Sequence, residues 1–374
     1  MDNILLSAAL AFLITFFSIP VIIQVAKAKK LFDEPDERKV HKTVIPTLGG
    51  LGIFSGFIIA CLMGVPAGLN PEFQYFVAAA LVIFFLGLRD DIMILSASKK
   101  FVGQIVAAGI LIKFGGVSIN NMHGFLGINE IPYYASVILS FFTIIVITNS
   151  FNLIDGVDGL AGSLGFITTL IFGCYFLYVG QIMYGVLAFS LAGSTVAFLI
   201  YNFSPAKIFM GDTGSLMLGL INSILVIKFI AIAGSTTTSF PIASSPAIGF
   251  AILIIPLFDT LRVFGLRILD RRSPFSPDRT HIHHFLLDLG FSHRKIAISC
   301  VAATIGFVMI AFAMRNFDTT IIIGVQLSIA LTLIGIIYYI RQRGRVTYVS
   351  SSPEAEIIKS HKILSLVSEP VEMD

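Results

Sequence analysis

Long apolar runs separated by short polar breaks recur along almost the whole chain. Setting runs against breaks predicts eleven apolar helices, at about 4–26, 48–66, 73–89, 101–115, 133–150, 160–180, 182–201, 213–233, 246–266, 296–314 and 320–340. An α-helix needs ~20 mostly apolar residues to cross a bilayer core. Most of the runs meet that length, and 101–115 is short for it. Runs such as Ser136–Thr148 show no alternation of period two, unlike the ~10-residue strands of an outer-membrane barrel. The expected fold is all-α, a polytopic integral membrane bundle of ten or eleven transmembrane helices.

Composition supports this and excludes other classes. Of 374 residues, 56% are hydrophobic and 13% charged, whereas soluble domains carry ~25% charged residues. A soluble globule, a disordered chain and a disulfide scaffold are excluded. Cys61, Cys174 and Cys300 each sit inside an apolar run and read as packing residues. The Met-Asp-Asn start has no basic stretch and leads into a long apolar run, which reads as an uncleaved first span.

Charge placement adds orientation. Segments 27–47, 89–100, 151–159, 202–212, 262–295 and 341–374 fall on one side of an eleven-span chain and hold 22 of the 25 Lys and Arg residues. Only Lys113, Lys228 and Arg315 are left for the other side. The positive-inside rule makes the first side cytoplasmic, with the N-terminus outside and the C-terminus inside. Most acidic residues gather on that same side. Residues 1–345 therefore read as one transmembrane domain with its chemistry on cytoplasmic loops, and 346–374 as a flexible polar tail.

Five segments carry candidate chemistry. Gly87-Leu88-Arg89-Asp90-Asp91 ends the third run with adjacent carboxylates, which would repel or share a cation unless simply solvated. Ser98-Lys99-Lys100 follows and reads as a helix start with anchoring lysines. In Asn149-Ser150-Phe151-Asn152-Leu153-Ile154-Asp155-Gly156-Val157-Asp158, polar groups return every three residues in a stretch without a basic residue. Partnerless acids at a membrane edge are costly, and a divalent cation with a nucleotide would relieve them. Tyr201-Asn202 to Phe209-Met210-Gly211-Asp212-Thr213-Gly214-Ser215 puts Asp212 at the start of the eighth run, as a helix cap or a ligand. Phe209 in that loop can stack on a base or tuck back into the protein.

The fourth segment, Arg271-Arg272 to Asp278-Arg279-Thr280-His281-Ile282-His283-His284, packs three of the seven histidines into four residues. No cysteine is near to complete a zinc site. With adjacent arginines, an anion such as a diphosphate, or anionic lipid, fits better. The fifth, Pro35 to Lys42 and Thr47-Leu48-Gly49-Gly50, is charge-rich and weak alone. Asp259 and Arg262, at i and i+3, can pair.

Together RDD, NxxNLIDGVDGLAG, FMGDTGS and HIHH, in this order from about Pro35 to Lys295, resemble the polyprenyl-phosphate N-acetylhexosamine-1-phosphate transferases, glycosyltransferase family 4. The resemblance is nearer to their bacterial undecaprenyl-phosphate GlcNAc-1-phosphate branch. It implies transfer of GlcNAc-1-phosphate from UDP-GlcNAc to undecaprenyl phosphate, releasing UMP, as the first membrane step of a cell-surface polysaccharide. It implies Mg²⁺, with Mn²⁺ as a substitute. Asp212 and Asn152 then correspond to the metal ligands, and Asp90 and Asp91 to catalytic acids handling the lipid phosphate. Asp155, Asp158 and Phe209 match the nucleotide pocket, with Asn202, Lys42 and Thr47 in supporting positions. Arg279, His281, His283 and His284 match the phosphate and sugar loop.

The resemblance further implies a bacterial inner membrane, a site on the cytoplasmic face, a homodimer and no nucleic-acid partner. His-Ile-His-His rather than three consecutive histidines favours a simple UDP-HexNAc over UDP-MurNAc-pentapeptide. The rival from another class is a secondary transporter of an anionic solute, which would put ionisable groups at the bilayer midplane rather than at one edge.

Overall fold

A computed structural model describes residues 2–29, 45–66, 68, 70–271 and 280–350, with side chains as far as Gln342. Lys42 and Arg279 lie outside the described residues, as do 351–374 of the predicted tail. The described residues form thirteen α-helices: α1 Asp2–Lys29, α2 Gly49–Gly64, α3 Phe73–Ile92, α4 Ala97–Lys113, α5 Tyr133–Ile154, α6 Leu160–Tyr178 and α7 Ile182–Asn202, then α8 Gly211–Ala233, α9 Ser245–Ile252, α10 Ile254–Leu269, α11 Ile282–Asp288, α12 His293–Ala313 and α13 Thr319–Ser350. No strand occurs among them; one isolated bridge joins Asn121 and Glu130. The all-α expectation holds.

Every predicted apolar run is helical, with one correction. The run 246–266 is two helices, α9 and α10, bent by 82° at Leu253. Pro256 supplies the reason: it has no N–H for the carbonyl of Ile252, and its ring crowds that carbonyl. Pro is instead accommodated in the first turn of a new helix, and α10 begins at Ile254. Helix α11, in the loop after α10, was not visible as an apolar run. Among the described residues, seven helices are each long and apolar enough to cross a membrane, or eight when the bent pair is taken as one span. Helix α2 is shorter, at 16 residues.

Helix α8 is the axis of the bundle. It packs against α2, α3, α5, α6, α7 and α9, and all but a few of its residues are buried. That explains why it is apolar on every side. Small residues allow the close approaches. A Cβ on Gly87 of α3 would lie 2.5 Å from the Thr213 Cα of α8, so only glycine lets the acidic end of α3 meet the start of α8. Helices α1 and α13 expose Leu6, Phe17 and Leu331, while Phe85, Ile138 and Met309 are bare on other helices. An apolar exterior of this extent suits lipid, not water. Cys61 and Cys300 are buried free thiols, as expected of packing residues. Cys174 is exposed on α6, which corrects that reading for one of the three.

Candidate active site

The site begins where α3 meets α8. The first N–H groups of any helix lack partners within it, and those of α8 find theirs on another helix. Asp91 Oδ1 accepts from the Asp212 N–H at 2.7 Å, and its Oδ2 accepts from the Thr213 N–H at 3.0 Å and the Thr213 hydroxyl at 2.5 Å. A carboxylate there also meets the positive end of the helix dipole. Asp91 thus caps α8 in place of a local residue, and Asp212 lies inside the first turn rather than at the cap.

Asp90, one residue away, turns elsewhere. Its Oδ1 accepts from the Leu95 N–H at 2.6 Å, and its Oδ2 lies 2.6 Å from Lys100 Nζ. The same ammonium group is 2.7 Å from Asp212 Oδ2. Asp212 Oδ1 accepts from the Asn152 amide at 2.9 Å, and that amide also reaches Ser215 Oγ at 3.0 Å. Lys100 is therefore no membrane anchor. It is the cation between two carboxylates brought together from α3 and α8. A signal for this was present in the sequence: Lys99 and Lys100 lie in the first turn of α4, where the helix dipole disfavours positive charge.

The row spaced by threes is only partly one surface. Asn149 turns away from the acids and exchanges amide hydrogen bonds with Gln104 of α4, at 2.7 and 3.2 Å. Asn152 reaches Asp212. Asp155 follows the end of α5, and burial together with the carboxylates of Asp212, Asp91 and Asp158 pushes its acid up to about 8. Asp158 is buried; its Oδ2 accepts from the Ala206 N–H at 3.2 Å and lies 3.3 Å from His293 Nδ1.

Two further connections complete the floor. Asn202 is buried, accepts from the Gly159 N–H at 2.9 Å and donates to the Ile208 carbonyl at 2.9 Å. It stitches the loop before α6 to the loop before α8. Phe209 donates its N–H to the Pro46 carbonyl at 2.7 Å and accepts from Gly49 at 2.9 Å. Its ring is half-buried. Thr47 lies in that same paired segment, with its carbonyl against Gly211.

The histidines pack on the Asp155–Asp158 loop. His281 and His283 are buried and His284 is half-buried. The rings of His281 and His283 stack at 5.7 Å with an interplanar angle of 5°, and those of His283 and His284 lie 4.3 Å apart. A Cβ on Gly156 would fall 2.5 Å from His283 Nε2, so the histidine loop packs directly on the Asp155–Asp158 loop. Burial, and then the neighbouring histidines, hold His283 far below the usual imidazole range, at about 3. The neutral imidazole is favoured there, and its Nδ1 has no hydrogen-bond partner among the described residues.

Asp259 and Arg262 pair at 2.8 Å, as their spacing predicted. Asp259, Lys100, Thr213, Ser215 and His293 are site residues that sequence reasoning missed or left without a role.

Among the described residues, no group of three or more His, Cys, Asp or Glu side chains converges to cage a metal. Mg²⁺ takes one or two carboxylates and completes its shell with water and substrate phosphates. Asp212 and the Asn152 amide offer such a partial set, and the position is already one where a cation bridges two carboxylates.

Comparison with known proteins adds a family match. The family model for glycosyl transferase family 4 matches residues 73–230. The chain is 35% identical over 320 residues to a Bacillus subtilis protein named probable undecaprenyl-phosphate N-acetylglucosaminyl 1-phosphate transferase, covering 82% of this chain and 84% of that one. It is 35% identical over 321 residues to the decaprenyl-phosphate N-acetylglucosaminephosphotransferase of Mycobacterium tuberculosis, covering 77% and 76%. To the undecaprenyl-phosphate alpha-N-acetylglucosaminyl 1-phosphate transferase of Escherichia coli K12 it is 28% identical over 332 residues, covering 86% and 87%.

Proposed function

Because the chain belongs to glycosyl transferase family 4, we propose that it moves GlcNAc-1-phosphate from UDP-GlcNAc to undecaprenyl phosphate, releasing UMP. It is a membrane-embedded transferase, and the polyprenyl-phosphate GlcNAc-1-phosphate reaction is the one its relatives' names describe. The observation that carries this reading is the meeting of Asp212, Asp90 and Asn152 beside a wall of buried histidines. Such a site faces a diphosphate with a metal-binding side and a neutral, donor-bearing side. The product would start a cell-surface polysaccharide in a bacterial inner membrane. Eleven crossings would put the site on the cytoplasmic face, where the basic residues gather.

In the reaction, an oxygen of the lipid phosphate attacks the sugar-linked phosphorus of the donor. The bond from that phosphorus to the UMP oxygen breaks, and UMP departs with the electron pair. Bound Mg²⁺ would be held by Asp212 and Asn152 and would offset negative charge on the transferred and departing phosphates. A phosphate monoester loses its second proton near pH ~6, so the attacking group needs placement more than deprotonation. Lys100 and Asp90 supply that placement at the metal side. The Asp155–Asp158 loop and Phe209 line the nucleotide side. His281, His283 and His284 hold the donor's phosphate and sugar.

The test uses purified enzyme, undecaprenyl phosphate, Mg²⁺ and UDP-[³H]GlcNAc. The expected result is butanol-extractable label and released UMP, both abolished by EDTA. Label from another UDP-HexNAc or from UDP-MurNAc-pentapeptide alone would move the donor assignment; no lipid-linked label from any donor would overturn the reading. His283→Ala is expected to raise the KM for UDP-GlcNAc about tenfold, the cost of one hydrogen bond of about 1.4 kcal/mol. Inhibition by UMP, which lacks the sugar phosphate, should change less than twofold. Equal losses would remove His283 from the sugar-phosphate side.

A further inference from the structure

Asp259 is 1% exposed and its two oxygens bind two successive residues of the histidine loop, His281 and Ile282. Oδ2 lies 2.9 Å from His281 Nδ1, and Oδ1 accepts from the Ile282 N–H at 3.0 Å. The same Oδ1 accepts from Arg262, whose guanidinium also donates to the Thr280 carbonyl. Arg262 in turn lies over the Phe285 ring at 5.3 Å. The chain leaves α10, and this is where it is fastened again on its return. A carboxylate can only accept, so the ring proton facing it must sit on Nδ1 of His281. Nε2 is then the nitrogen left for a ligand.

We propose that Asp259 is a positioning residue for the transfer: it fixes the tautomer and ring plane of His281, and through the parallel stack with His283 it fixes the histidine wall that receives the donor phosphate. Asp259 touches no substrate itself. Outer partners of this kind orient histidines wherever a particular ring nitrogen must be presented. The inference rests on the transfer reaction proposed above.

Asp259→Asn separates this role from plain packing. The amide keeps the volume and can keep its oxygen toward Ile282 and Arg262. Its NH₂ then faces His281, which must accept at Nδ1 and carry its proton on Nε2 instead. Expected is a fall in kcat of about 10- to 100-fold with UMP affinity unchanged; loss of the buried charge partner of Arg262 also lowers the thermal midpoint. On a His281→Ala background Asp259→Asn should add nothing further, since partners in one network are not additive. Multiplicative losses in that cycle, or an Asp259→Asn enzyme with near-normal kcat, would overturn the proposal.

Should Asp259→Asn fail to fold, His281→Asn reads the pair from the other side. Its amide still donates to Asp259 but offers no Nε2, so kcat must fall at an intact midpoint; unchanged kcat would overturn the idea. Wild-type enzyme is assayed beside each variant. If it transfers no label, the transfer reading fails; if it is active and the variants match it, only the role of Asp259 fails.

Discussion

Asp212→Asn enzyme is expected to insert and fold normally and to lose turnover by at least about a thousandfold. Asp212 is the carboxylate at which the acidic side of the site converges: Lys100 Nζ at 2.7 Å, the Asn152 amide at 2.9 Å, and its own N–H held by Asp91. The substitution leaves the backbone bond to Asp91 untouched, and its remaining oxygen can still accept from Asn152. What disappears is the negative charge. Under the proposed assignment a divalent cation held there would lose its one charged protein ligand, and Lys100 would keep only Asp90. The measurement is kcat across a Mg²⁺ titration, with the thermal midpoint recorded in parallel. Near-normal activity at limiting Mg²⁺ would remove Asp212 from the metal side; activity restored at high Mg²⁺ would show weakened binding of the metal and support the assignment.

Asp91→Ala is expected to act on the frame of the site. It removes three hydrogen bonds at the start of α8, two of them from backbone N–H groups that no residue of α8 can satisfy. Bonds to a charged acceptor are worth about 1.5–3 kcal/mol each, although not additively. A thermal midpoint lower by about 5 °C is a conservative expectation. Because Asp212 lies in the unseated turn, activity should fall about a hundredfold with an increased Mg²⁺ requirement. Asparagine is a good helix cap, so Asp91→Asn should recover most of the midpoint and part of the activity. The contrary result is just as clear. If Asp91 takes a proton from the lipid phosphate, both variants should be equally inactive with unaltered midpoints.

The adjacent acids show how far the sequence could be read. The adjacent Asp90 and Asp91 stood out at the end of an apolar run, but the pair alone also suited a solvated loop start, and only the resemblance placed it in a site. Their division of labour was not legible. It depends on Thr213 and Lys100, and Asp91 caps a helix that begins 120 residues later. The same holds for Asn149. Spacing put it in line with Asn152, and only the facing Gln104 of α4 shows that it serves packing. Apolar helices were readable run by run, since membrane length and composition act locally. The break at Leu253 lay inside a run that hydropathy treats as uniform. Its cause, Pro256, acts through the backbone, which hydropathy does not register. The pairing of Asp259 with Arg262 was legible from spacing, whereas its grip on His281 required the loop to come home.

The borrowed cap on α8 also bears on biosynthesis. Chains are made from the N-terminus, and earlier segments have the first chance to fold. Helices α3 and α4 emerge together, so Asp90 can meet Lys100 within one hairpin. Asp91 has to wait for α8, through the synthesis of four intervening helices. The start of α8 reaches its final form only on docking against a surface that is already assembled. The reactive centre is thus among the last parts of the bundle to be completed, and its completion depends on the central helix finding its place.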